Sequence, residues 1–108
     1  MFVKSNRIGE TVLPTGVKRK IKGYLDDLMV CELTWQKGMR GELHSHEHRQ
    51  CGYILKGSFE ATVGEKTETL GPGDCFYTEK NQPHSLVCLE NDSVMLDIFT
   101  PVRKDFLH

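Results

Sequence analysis

Long apolar runs are missing from this sequence: nothing in its 108 residues approaches the ~18 consecutive apolar positions that a membrane-spanning helix requires. An excess of one charge is missing too, with 14 Lys and Arg against 15 Asp and Glu, so neither nucleic acid nor an anionic membrane surface is an expected partner. The opening residues Met1–Gly9 hold no apolar segment of the signal-peptide kind, and a cytoplasmic protein is expected. Cysteine pairs at metal or redox spacing are absent. Cys31, Cys51, Cys75 and Cys88 stand far apart in apolar or strand-like runs and read as free thiols that pack as small hydrophobes. Helical periodicity is scarce as well, because Gly or Pro interrupts every window in which apolar residues recur at i, i+3, i+4 and i+7. What these absences leave is a small all-β protein with a small-molecule site, a single domain over residues 1–108.

Strand signals are plentiful. Short β-branched or aromatic runs recur at about residues 21–25, 28–35, 52–56, 58–63, 66–70, 75–78, 85–89 and 93–99. Between them stand turn signals: Lys56-Gly57, Gly64-Glu65-Lys66, Gly71-Pro72-Gly73-Asp74, Asn81-Gln82-Pro83 and Asn91-Asp92. Each offers a residue that tolerates positive φ or a preset φ. Many short strands with regular turns predict a sandwich or barrel, and closure into a jelly roll removes sheet edges while leaving a mouth for a ligand. Residues 1–20 are mixed and polar, suited to an edge strand for this sheet or a partner's. The segment Pro101 to His108 reads as a short helical turn or an arm across the barrel.

Three of the five histidines fall within Leu43-His44-Ser45-His46-Glu47-His48-Arg49-Gln50. If that run is one strand, alternation sends residues 44, 46, 48 and 50 to one face. Neutral imidazoles suit first-row divalent metals, and an amide oxygen can complete such a set.

This run resembles the first motif of the cupin superfamily, G-x5-H-x-H-x3 or x4-E-x6-G, with Gly38, His44, His46, Gln50 in the Glu position, and Gly57. The second motif, G-x5-P-x-G-x2-H-x3-N, is met at Gly73 and His84, with Glu79, Asn81 and Cys88 in place of Pro, Gly and Asn. The two motifs cover about residues 38–57 and 73–88. The resemblance implies a cupin barrel, a double-stranded β-helix or jelly roll, holding one divalent ion (zinc, nickel, iron or manganese) on His44, His46, Gln50 and His84. Gln50 is open to another use, hydrogen bonding a water or the substrate. His48 has no place in the motif and is expected beside the ligands. Gln in place of Glu leaves the ion's +2 charge intact, which favours Lewis-acid work on an anionic substrate over redox chemistry. Small cupins often pair through their sheets, so a homodimer is expected.

Near the end stands Asp97-Ile98-Phe99-Thr100-Pro101-Val102-Arg103-Lys104-Asp105-Phe106. Strand alternation puts Asp97 and Phe99 on one face with Met95, and a carboxylate inside an apolar strand is costly unless paired. Arg103 can fold back to clamp a carboxylate, or Asp97 and Arg103 can simply pair and pin the tail. This ending, with the H-x-H-x-H-x-Q run, is similar to the KdgF-type cupins of pectin and alginate catabolism, which convert 4,5-unsaturated uronate monosaccharides into linear ketouronates. That resemblance implies catalytic roles for Asp97 and Arg103, a substrate-binding role for Arg103, and a place for Phe99 in the site's lining. The residues also fit a noncatalytic sugar-acid binder, and a metal-dependent dioxygenase is a third reading. Tyr53 and Trp35 are expected in the core.

Overall fold

The computed structural model describes residues 1–107. Ten strands follow one another: β1 (Thr11–Val12), β2 (Lys18–Leu25), β3 (Leu28–Trp35), β4 (Arg40–His44), β5 (Arg49–Lys56), β6 (Phe59–Val63), β7 (Lys66–Leu70), β8 (Cys75–Thr78), β9 (His84–Cys88) and β10 (Ser93–Thr100). Short 3-10 turns occupy Ser5–Arg7 and Lys104–Phe106. The strands form a six-stranded sheet, ordered β1-β2-β3-β10-β5-β8, and a four-stranded sheet, ordered β4-β9-β6-β7. Every pairing is antiparallel. This is the all-β cupin architecture that the motifs imply. No helix is long and apolar enough to cross a membrane.

All eight anticipated strands form, and each anticipated turn carries a residue with positive φ: Gly57, Gly64, Gly73, Asn81 and Asp92. Residues before 20 do supply an edge strand, β1, and the tail does form a short turn at 104–106. The four cysteines are free thiols, and Cys31 and Cys88 pack in the core as expected, whereas Cys51 is half-buried and Cys75 is exposed.

Two expectations fail. Residues 44–50 are not one strand: β4 ends at His44, β5 begins at Arg49, and residues 45–48 cross from one sheet to the other. The physical reason lies in Ser45-His46-Glu47-His48-Arg49, five polar residues in succession with no apolar alternation to seat them on a pleat. Tyr53 is not core either. It does lie on the opposite face of β5 from Gln50, as alternation requires, but that face is the outside of the six-stranded sheet and Tyr53 is 38% exposed.

The inner faces follow the period of two. Met29, Cys31, Leu33 and Trp35 of β3, Gln50 and Ile54 of β5, and Met95, Asp97 and Phe99 of β10 are all buried. Phe59 and Ala61 of β6 and Leu86 and Cys88 of β9 face them from the other sheet. Trp35 meets Phe59 edge to face, centroids 5.5 Å apart, and so joins the sheets. Each such large apolar side chain contributes about 1.5–3 kcal/mol on burial. Gln50 and Asp97 are polar members of this inner face, and together they mark where the core gives way to a site.

Candidate metal centre

His44 closes β4 directly opposite His84, the first residue of β9. Their ring centroids lie 4.2 Å apart, and the His46 ring stands 4.8 Å from that of His84 and 5.6 Å from that of His44. One ring nitrogen from each histidine lies within 4.8 Å of the other two. Convergence thus comes from a strand end, a strand start and a connector, not from one strand face.

Each ring is oriented by the main chain. Nδ1 of His44 bonds to the carbonyl of Glu42 at 2.7 Å, that of His46 to the carbonyl of His48 at 2.7 Å, and that of His84 to the carbonyl of Gln82 at 2.9 Å. A carbonyl only accepts, so each Nδ1 carries the proton and, in the neutral ring, each Nε2 presents a lone pair. Burial is the chief cause that pulls the His84 pKa down to about 4 and lowers that of His46, which keeps these rings neutral near pH 7. The connector is tied down in turn: the N–H of Asn81 donates to the His46 carbonyl at 2.7 Å. Asn81 stands where the second motif has Gly and takes φ 60, a conformation Asn tolerates.

Two observations fit a divalent cation. His84 Nε2 is buried and has no hydrogen-bond partner, which costs about 1–3 kcal/mol for an ordinary polar atom. His46 Nε2 lies 3.0 Å from Gln50 Oε1, so two acceptors face each other in the neutral ring, a conflict that a cation between the groups relieves. Gln50 lies on the inner face of β5, and its Nε2 donates to Asp97 Oδ1 at 2.7 Å.

Asp97, in register between Gly52 of β5 and Cys31 of β3, carries a carboxyl pushed up to about 6. Burial is the main cause, opposed by the Gln50 hydrogen bond and the Arg103 charge. Arg103 does not pair with Asp97. Its Nε and Nη2 fork onto Asp105 at 3.1 and 2.9 Å and hold that carboxyl below the usual carboxylate range. The Arg103 guanidinium also lies over two aromatic rings, 5.1 Å from the centre of Phe99 and 4.3 Å from that of Phe106.

A cavity of about 190 Å³ brings these parts together, with His44, Gln50, His84, Asp97, Phe99 and Arg103 in its wall. Trp35, buried as expected, also lines it. A larger hollow of about 450 Å³ beside Met1, Val3, Tyr24 and Leu25 is lined by Lys22 but by no histidine or carboxylate, so the chemistry belongs to the smaller space. His48 stands beside the three rings, 5.8 Å from His46, and contributes its carbonyl. Sequence reasoning missed Phe106, which lines the cavity, and Arg19, whose guanidinium lies 4.1 Å from the Phe106 ring centre. Their contact joins β2 to the tail, and no local pattern announces it.

Comparison with known proteins shows the family and the fold. The family described as Cupin domain matches residues 31–99. The pectin degradation protein KdgF of Dickeya dadantii is 42% identical over 96 residues, covering 88% of this chain and 87% of that protein. The structure of KdgF from Halomonas sp. superposes with a TM-score of 0.94 at 34% identity, covering 98% of this chain and 99% of the other. An RmlC-like cupin from Shewanella frigidimarina superposes with a TM-score of 0.92 at 30% identity, covering 97% and 94%.

Proposed function

Because the chain belongs to the cupin family, in the group of the pectin degradation protein KdgF, we propose that it converts 4,5-unsaturated uronate monosaccharides into linear ketouronates. The observation that carries this reading is the continuous contact from His46 through Gln50 to the buried Asp97, the last two lining one cavity with Arg103. It couples a candidate cation site to a proton-transfer group and an anion clamp.

The substrate is a cyclic hemiacetal whose ring oxygen is also part of an enol ether beside a carboxylate. Opening it removes the anomeric hydroxyl proton, breaks the bond from the anomeric carbon to the ring oxygen, leaves the electron pair on an enolate, and adds a proton at the far carbon of the double bond. The product is an isomer, so no co-substrate is consumed. His44, His46, His84 and Gln50 are the residues that would hold the ion, whether zinc, nickel, iron or manganese, and it would supply Lewis-acid stabilisation of developing negative charge on oxygen. Asp97, with a pKa of about 6, is poised to take the hydroxyl proton and return one to carbon. Arg103 holds the substrate carboxylate on the side of its guanidinium that Asp105 leaves open. Phe99, 3% exposed, gives the ring an apolar wall. A cytoplasmic setting and pairing of two copies complete the proposal; the free thiols suit a reducing compartment.

The test is direct. Purified protein mixed with unsaturated galacturonate is expected to speed the decay of the enol-ether absorbance above its spontaneous rate. An unchanged rate with bound galacturonate would instead establish a noncatalytic sugar-acid binder.

A further inference from the structure

We propose that Arg19 is a specificity-determining residue of this cavity: stacked with Arg103 on the Phe106 ring, it sets a second guanidinium beside the tail and makes the cavity prefer anionic sugars to their neutral counterparts. The inference rests on the sugar-acid reading of the site and deepens it.

Position comes first. Arg19 pairs with Leu33 across β2 and β3, and Leu33 is a buried residue in the cavity wall. Paired residues on neighbouring strands share a face, so Arg19 projects inward while Lys18 and Lys20 alternate away from it. Its Cζ lies 4.1 Å from the centre of Phe106, and Arg103 Cζ lies 4.3 Å from the same centre. Phe106 is cavity wall and Arg19 is not. Arg19 therefore acts through the ring it braces and through its charge.

Charge comes next. Arg103 has a carboxylate partner in Asp105. Among the described residues Arg19 has none, and its Nε is buried without an acceptor. Stacking on an aromatic face attracts the cation but leaves the in-plane N–H donors unmet. The positive charge left over reaches the barrel interior: burial and then Asp97, in register with it, push the Cys31 thiol up to about 12, and the Arg19 and Arg103 guanidiniums both act against that rise. A ligand carboxylate held at Arg103 supplies the compensating negative charge, whereas an ester or a neutral sugar does not.

Calorimetric titration of the purified protein with galacturonate and with its methyl ester separates these effects. The wild type is expected to favour the acid. Arg19→Met, which keeps an unbranched apolar stem and drops the charge, should cut the acid-over-ester preference about tenfold and leave the ester's affinity in place. Arg19→Lys should restore most of the preference. An unchanged preference in Arg19→Met overturns the inference, and so does equal weakening toward both ligands, which would mark Arg19 as a packing residue only. If the wild type binds neither ligand, the sugar-acid reading itself falls and takes this one with it.

Discussion

Asp97 and His84 titrate in opposite senses across the same pH window. The Asp97 carboxyl, ordinarily at 3.8, is pushed to about 6 in the fold, so the folded protein holds that proton more tightly than the unfolded chain. Its contribution to stability is complete below pH 3.8 and is lost as pH rises through 6, a change of about 3 kcal/mol. His84 falls from 6.5 to about 4; its contribution is complete above pH 6.5 and is lost as pH falls through 4. In ion-free protein the two partly cancel. Asp97→Asn removes the opposing member, so its unfolding free energy should climb more steeply than the wild type's between pH 4 and 6. Parallel denaturant-derived curves for the two proteins would refute the assignment. In turnover the same variant should lose at least about a hundredfold while retaining its metal content. At this scale the three histidines were legible, because their spacing in two motifs does not depend on which strands they join. Arg19 was not, since its meaning depends on a tail nearly ninety residues away in the chain.

Turns and connectors set where strands stop. Gly38 and Gly57, the two glycines of the first motif, take φ of 89° and 83°, yet their surroundings differ. A Cβ at Gly38 would meet open space, whereas one at Gly57 would collide with Ser93, both side chain and backbone. Gly38→Ala should therefore cost only the backbone conformation, about 1–2 kcal/mol. Gly57→Ala adds a steric clash with β10 and should cost more than about 3 kcal/mol. Thermal melts of the two variants check the ranking, and equal losses would contradict it. Eight strands and their turns could be read from the sequence because alternation and turn chemistry are local. The break between β4 and β5 could not be read from alternation, which places His44 and Gln50 on one face whether or not the strand is continuous. They stand on different sheets, and the connector at 45–48 is what brings His46 between them.

The six-stranded sheet leaves its outer face open. Tyr53, Leu55 and Tyr77 are 38%, 44% and 68% exposed there, and Leu96 and Ile98 of β10 are half-buried beside them. An apolar sheet face of this extent suits a symmetric contact between two copies. Sedimentation at micromolar concentration should find a dimer for the wild type and a monomer for Tyr77→Glu; a monomeric wild type would count against the pairing.

The main-chain carbonyls that hold Nδ1 of His44, His46 and His84 belong to β4, the connector and the turn before β9, whereas Asp97, Phe99 and Arg103 belong to β10 and the tail. The barrel is therefore divisible along its own chain into a chassis and a tool. No Nδ1 among the histidines takes its hydrogen bond from β10 or the tail, so changes at Asp97 or Arg103 leave those three main-chain anchors in place, and the two parts meet where His46 touches Phe99, centroids 5.8 Å apart, and where Gln50 touches Asp97.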